Sequence, residues 1–213
     1  MTVCLRYPLH HVDTPCEKAT FGMGCYWAPD SLFGATKGVI RTCVGYAGGT
    51  TEDPNNQIGD YTEVIEIHYD PTKINYSDLL DIFWNNHEYR LSVKLKREYM
   101  SMIMYHNEEQ CQIAKTSKDN QQAKEKNALI ATEIIPASTF YPAKSSNQKY
   151  RLQGHVDMTQ GLGLTPDLLM TSHVAARLNG YLAGCGDLEQ FETETEYLGL
   201  SEEQIQYVKN YLS

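Results

Sequence analysis

The stretch "YTEVIEIHYD", residues 61–70, alternates polar and apolar side chains, the two-residue period of a strand with one face buried. Around it the pattern switches repeatedly between strand and helix periods. "KATFGMG" (18–24) reads as a short strand, and "APDSLFGATKG" (28–38) as a helix with Pro29 in its first turn and Gly38 at its close. "VIRTCVGYAGG" (39–49) is a strand rich in branched residues and closed by glycines, and the polar run "TTEDPNNQIGD" (50–60) is a loop. "SDLLDIFWNNHE" (77–88) spaces Leu79, Leu80, Phe83 and Trp84 along one helical face, with Ser77 as the expected N-cap. Then "YMSMIMY" (99–105) predicts a strand, residues 107–126 a solvated helix opened by Asn107, and "ATEIIPA" (131–137) a further strand.

That order of strands and helices predicts an α+β domain, a mixed sheet with flanking helices and a split βαβ, ferredoxin-like character. Beyond Tyr150 the composition turns helical. Residues 165–184, 187–199 and 201–212 are three helix candidates, the first opened by Thr165 and Pro166, the last by a Ser201/Gln204 capping box. The expected organisation is an irregular arm (1–17), a core domain (18–150) and a helical C-terminal extension (151–213).

With 213 residues, 41% hydrophobic and 21% charged, the chain falls in the globular range. A net charge of −9, with no run of Lys and Arg, argues against nucleic acid as a partner. The first 20 residues show neither a secretory signal nor a membrane span, so a cytoplasmic location is expected, with no membrane partner. Six scattered cysteines (Cys4, Cys16, Cys25, Cys43, Cys111, Cys185) suit thiols in a reducing compartment better than a disulfide scaffold. There is no CxxC or HxxxH spacing, so no metal is expected.

The chemistry concentrates in "GMGCYW", residues 22–27. Gly22 and Gly24 open the approach to Cys25, while Tyr26 and Trp27 can wall a pocket. Cys25 sits at a predicted strand-to-helix junction, where the helix dipole and free N–H groups favour thiolate. The bland alternative is a small buried core residue.

With "ATFGMGCYW", "GVIRTCVGYAGGTTEDP", "GDYTEVIEIHYDPTKINYSDLLDIFWNNHE" and "FYPAKSSNQKY" in that order, the chain resembles the A-type peptide methionine sulfoxide reductases across residues 18–150. "NQKYRLQGH" and the helices after it resemble the insect-type branch. The resemblance implies a catalytic reductase domain over 18–150 that reduces methionine S-sulfoxide, free or in oxidised proteins. It makes Cys25 the nucleophile, Tyr26 (in place of the usual Phe) and Trp27 the walls for the S-methyl group, and Glu63 the acid that protonates the departing oxygen. Without the resemblance, Glu63 reads as an exposed strand carboxylate. Tyr99 is matched to an oxygen-binding tyrosine. Cys185, in "NGYLAGCGDL", is the candidate resolving cysteine, with Cys4 or Cys16 as alternatives, and Cys43 and Cys111 read as structural. No cofactor is bound; external thioredoxin or another dithiol supplies the electrons.

Several family positions differ here. Asn56 stands where a second oxygen-binding tyrosine is usual, with Tyr61 as the candidate substitute. Lys94 replaces an Asp, and "AKSSNQ" loses an acid pair and a histidine at Ser145 and Asn147. Each lost donor lowers turnover by ~10-fold to 1000-fold. Two alternatives stand beside the enzyme: a low-activity binder of oxidised methionine, and a thiol redox sensor or peroxidase.

Overall fold

The computed structural model describes residues 7–51, 54–90 and 95–212. Among these, β1 (Glu17–Met23), β2 (Val39–Ala47), β3 (Thr62–Tyr69), β4 (Ser101–Tyr105), β5 (Glu133–Pro136) and β6 (Tyr141–Pro142) form one sheet in the order β5-β4-β1-β3-β2-β6. Every neighbouring pair is antiparallel except β4 and β5, which are parallel and connected through α3 (Glu108–Lys124). The sheet is mixed and helix-covered, as the alternating periods predict.

The period of two sorts the strand residues onto two faces. Phe21 of β1 and Ile65 and Ile67 of β3 turn to the face covered by Phe33 of α1 (Trp27–Ala35) and by Leu79, Leu80 and Phe83 of α2 (Tyr76–Asn85). The other face carries Val64, Met102 and Met104 in a small apolar patch, and Lys18, Thr20, Glu66 and His68 beside it. The helix start at residue 77 is corrected to Asn75 as N-cap. Its side chain accepts from Asp78 N–H at 2.9 Å and Asp78 accepts from Asn75 N–H at 3.1 Å, so two otherwise unpaired donors are satisfied reciprocally.

The C-terminal helices build a second core around Leu152, Val174, Leu178, Tyr181, Phe191, Leu198 and Val208. They are α4 (Tyr150–Gln153), α5 (Val156–Gly161), α6 (Leu168–Thr171), α7 (His173–Tyr181), α8 (Leu188–Leu198) and α9 (Glu202–Leu212). The single helix expected over 165–184 is broken at Ser172, whose extended backbone lets its hydroxyl accept from Ala175 N–H at 3.2 Å and start α7 afresh. α7 crosses α1 at close range. A Cβ on Gly34 would meet the Ala176 carbonyl, and one on Gly180 would meet the Ala35 backbone. At that crossing the buried Arg177 guanidinium donates to the Gly34, Ala35 and Thr36 carbonyls and to Glu194, so a cation closes the C-terminal end of α1.

A second buried ion pair ties α1 to the segment before α4. Lys149 Nζ donates to Asp30 Oδ1 at 3.0 Å and to the Thr42 carbonyl at 2.6 Å, and Lys149 N–H donates to Asp30 Oδ2 at 3.0 Å, with both side chains fully buried. Lys149 adopts φ 49°, a left-handed conformation that this network over-determines. Asp30→Ala would leave the ammonium buried and unpaired, so it is expected to cost about 3–5 kcal/mol of unfolding free energy. Urea unfolding of that variant against the parent protein measures the loss.

Candidate active site

Cys25 lies between β1 and α1, directly after Gly24, whose φ of 80° turns the chain from strand into helix without a Cβ penalty. Gly22 does not open the approach. It sits on the other side of the strand, where a Cβ would meet the Met100 carbonyl, so its role is close packing against the neighbouring backbone. Cys25 is exposed, Tyr26 is buried and Trp27 half-buried.

Strand β3 brings Glu63 beneath this turn, where its Oε2 accepts the Tyr26 backbone N–H at 3.0 Å. The Glu63 pKa is raised above the usual carboxylate range, first by burial and further by nearby Glu98, against the lowering pull of the Tyr26 hydrogen bond. Cys25 and Glu63 are close enough to perturb one another. The expectation of a thiolate at the helix start is overturned. Burial of the thiol and the Glu63 carboxylate raise the Cys25 pKa, outweighing the Trp27 N–H and the field of Arg151, both of which lower it. The resting pair is therefore a thiol facing a carboxyl that holds its proton to higher pH than usual.

Aromatic rings surround the pair. Trp27 stacks on Tyr150 with centroids 3.9 Å apart and planes 9° from parallel, and the buried Asp30–Lys149 pair fixes the chain immediately before Tyr150. The Trp27 indole N–H is buried and has no partner among the described residues. Tyr26 hydroxyl meets Tyr46 hydroxyl at 3.0 Å in a buried cluster with Val44, Tyr61 and Ala143. Burial raises the pKa of both phenols, so both hydroxyls stay protonated. One O–H supplies the bond between them, which leaves the other as a spare donor. The motif reading missed Tyr46, but register could have found it, since it faces Glu63 directly across the β2–β3 pair.

Tyr99 closes a short 3₁₀ turn before β4, with its phenol in the fields of Glu63, Glu98 and Cys25 and its pKa raised by burial first. Tyr61 is a correction. Its hydroxyl donates to the Thr51 carbonyl at 2.7 Å and its ring stands edge-on to Tyr141, so it braces the loop after β2 instead of offering a hydroxyl to substrate. Asn56 is exposed at the tip of that loop. Lys94 and Cys4 lie outside the described residues. Ser145 and Asn147 form a 3₁₀ turn that delivers Gln148, whose side chain accepts from Val44 N–H at 2.9 Å and donates to Val44 O at 2.7 Å.

Cys185 follows α7 between Gly184 and Gly186, both at positive φ, and is a free half-buried thiol. Burial raises the Cys185 pKa, and the field of the exposed Arg151 pulls it down, as it does for Cys25, so one guanidinium acts on both thiols. Cys16 is corrected as a resolving candidate. It precedes β1 and Cys25 follows it, and seven strand residues hold the two about 23 Å or more apart.

An exposed thiol beside a carboxyl of raised pKa, with aromatic rings around the pair on an α+β sheet, is the arrangement that a thiol-based oxidoreductase uses. The peptide methionine sulfoxide reductase profile matches residues 17–165, and that of the helical domain of selenoprotein methionine sulfoxide reductase A matches 163–213. The peptide methionine sulfoxide reductase of Drosophila melanogaster is 54% identical over 201 residues, spanning 94% of this chain and 82% of its own. Peptide methionine sulfoxide reductase A5 of Arabidopsis thaliana is 36% identical over 177 residues, 80% of this chain and 70% of its own. The solved methionine sulfoxide reductase A of Corynebacterium diphtheriae has a TM-score of 0.58 at 27% identity, covering 70% of this chain and 82% of that one. The chain belongs to the peptide methionine sulfoxide reductase family, A type, as its motifs indicate.

Proposed function

We propose that the protein reduces the S epimer of methionine sulfoxide in oxidised peptides, with Cys25 as nucleophile and Glu63 as proton donor. The observation that carries this reading is the apposition of Cys25 with a Glu63 carboxyl whose pKa is raised by burial. Sulfoxide oxygen leaves a sulfur centre only when it is protonated, so an acid that keeps its proton to higher pH than an ordinary carboxyl suits the reaction. Tyr26 and Trp27 receive the S-methyl group, while Tyr99 and the spare O–H of the Tyr26–Tyr46 pair hold the oxygen, the latter standing in for the donor lost at Asn56. The unpartnered Trp27 indole N–H is available to an acceptor on the peptide.

The Cys25 sulfur attacks the sulfoxide sulfur as Glu63 protonates its oxygen, and the thiol proton restores Glu63. The hydroxyl then passes to the Cys25 sulfur as the new S–S bond breaks, so methionine leaves with that electron pair and Cys25 is left as a sulfenic acid. Cys185 then condenses with it, expelling water and forming a disulfide. Thioredoxin or another dithiol reduces that bond and completes the cycle. Glycines on both sides of Cys185 and the shared neighbour Arg151 support its role as the resolving thiol. The proposed setting is the cytoplasm, where a reducing pool keeps scattered cysteines as thiols, and the proposed role is repair after oxidative stress.

Steady-state turnover with thioredoxin, thioredoxin reductase and NADPH on separated epimers of a sulfoxide peptide tests this. The S epimer is expected to be consumed and the R epimer not, and Cys185→Ser to retain the first turnover while losing thioredoxin-supported cycling. Equal rates on the two epimers would refute the proposed geometry.

A further inference from the structure

On the sheet face opposite α1 and α2 lies a second thiol with its own polar partners. Residues 16, 18 and 20 point to that face, and Cys16 Sγ lies 3.8 Å from His68 Nδ1. His68 Nε2 lies 2.8 Å from Glu66 Oε1, and Lys18 Nζ donates to both oxygens of the same carboxylate at 3.2 Å. Burial alone would raise the Glu66 pKa, but the His68 and Lys18 contacts bring it below the usual range, so Glu66 is an anion that accepts from Nε2–H. That fixes the imidazole tautomer and leaves the Nδ1 lone pair facing the thiol. The order is nucleophile, base and orienting carboxylate.

Two further features decide what such a thiol takes. Lys18 and Arg41 both stand opposite His68, on β1 and β2 respectively, so a cationic row crosses the sheet beside Cys16. Arg41 makes no ion pair among the described residues. There is also no resolving thiol within reach among these residues. Cys43 shares the face opposite Glu66, but two strand spacings and four residues of register put it roughly 15 Å from Cys16, beyond the ~7 Å limit for a disulfide. Burial also pushes the Cys43 thiol up to about 12. Among the described residues no second thiol is placed to displace a product formed at Cys16, which is then a mixed disulfide with an outside thiol.

We propose that Cys16, His68 and Glu66 form a second reactive-thiol site, separate from the reductase centre, which exchanges with small anionic disulfides of the oxidised glutathione type. Cys16 sulfur attacks one disulfide sulfur while its proton passes to His68 Nδ1. The S–S bond breaks, and the departing thiolate takes that proton from His68, giving Cys16–S–SR and RSH with no other oxidant. Lys18 and Arg41 hold the carboxylates of the incoming disulfide.

The test is mass-spectrometric mapping of the fully reduced whole chain during exposure to oxidised glutathione, with cystamine as a cationic comparison. Cys16 is expected to gain glutathione at least ~10-fold faster than Cys111, and His68→Gln and Glu66→Gln to slow it ~10-fold or more. Cys16→Ser, His68→Gln and Glu66→Gln should keep the parent's thermal midpoint and its dithiothreitol-supported reductase rate. The wild-type comparison needs no variant: oxidised glutathione is expected to outpace cystamine, and increasingly so at low salt. An unchanged Cys16 rate in folded His68→Gln, a Cys16 rate no greater than that of Cys111, or cystamine reacting as fast would each overturn the proposal.

Discussion

Cys25→Ser is expected to abolish reduction of methionine sulfoxide, a loss of roughly 10⁴-fold or more, with both thioredoxin and dithiothreitol as reductant. The reason is chemical. A serine oxygen at this position can neither attack sulfoxide sulfur usefully nor pass through a sulfenic acid that a second thiol clears. The fold should survive the change, because Cys25 lies at the surface turn after Gly24 and belongs to none of the apolar cores, although its sulfur is partly shielded. Circular dichroism and the thermal midpoint of the variant should match those of the parent protein. The sulfoxide peptide should still bind, since Tyr26, Trp27 and Tyr150 are untouched. Product formation by Cys25→Ser with either reductant would locate the nucleophile elsewhere.

Glu63→Gln carries the second largest effect, an expected fall of roughly 100- to 1000-fold in kcat/KM, because the amide has no proton to give the leaving oxygen. The sign of the pH dependence follows from the raised Glu63 pKa. The acid form persists to higher pH than an ordinary carboxyl, and the single-turnover rate falls as pH rises through that pKa. In Glu63→Gln this alkaline fall disappears, and the remaining slow rate climbs with pH as the thiol deprotonates. A second readout separates proton donation from damage to the site. Burial is the main cause of the high Cys25 pKa, and the Glu63 charge adds to it, so removing that charge makes the thiol more acidic. Alkylation of Cys25 by iodoacetamide at alkaline pH, where Glu63 of the parent protein is ionised, should therefore speed up in the same variant that has lost turnover. A variant slow in both reactions would point to a collapsed pocket.

What was legible in the chain follows from how locally each feature is written. Cys25, Tyr26 and Trp27 are adjacent, so a short motif suffices for them, whereas the alternation around Glu63 gives only a strand carboxylate and its expected role comes from the family resemblance. Tyr46 needed the strand register, which "GYAGG" alone does not give. Tyr150 against Trp27 and Arg151 near both thiols depend on the buried Asp30–Lys149 pair, whose partners lie 119 residues apart in the chain. No local period encodes such a contact. The expectation of a thiolate at Cys25 failed because a helix start is only one of several influences on the thiol, and burial with a facing carboxylate outweighs it. Tyr61 looked available because it lies two residues from Glu63. An even spacing would put the two on one face of a strand, but Tyr61 precedes β3 and its hydroxyl is taken by the Thr51 carbonyl.

The most direct test of the account is a single-turnover reaction with fully reduced protein, no recycling reductant and the S epimer of a sulfoxide peptide, followed by mapping of every cysteine by mass spectrometry. One methionine is expected to be released per chain, with Cys25 oxidised and joined to Cys185. Methionine released while Cys25 remains a free thiol, or no methionine from a folded protein that binds the peptide, would contradict it.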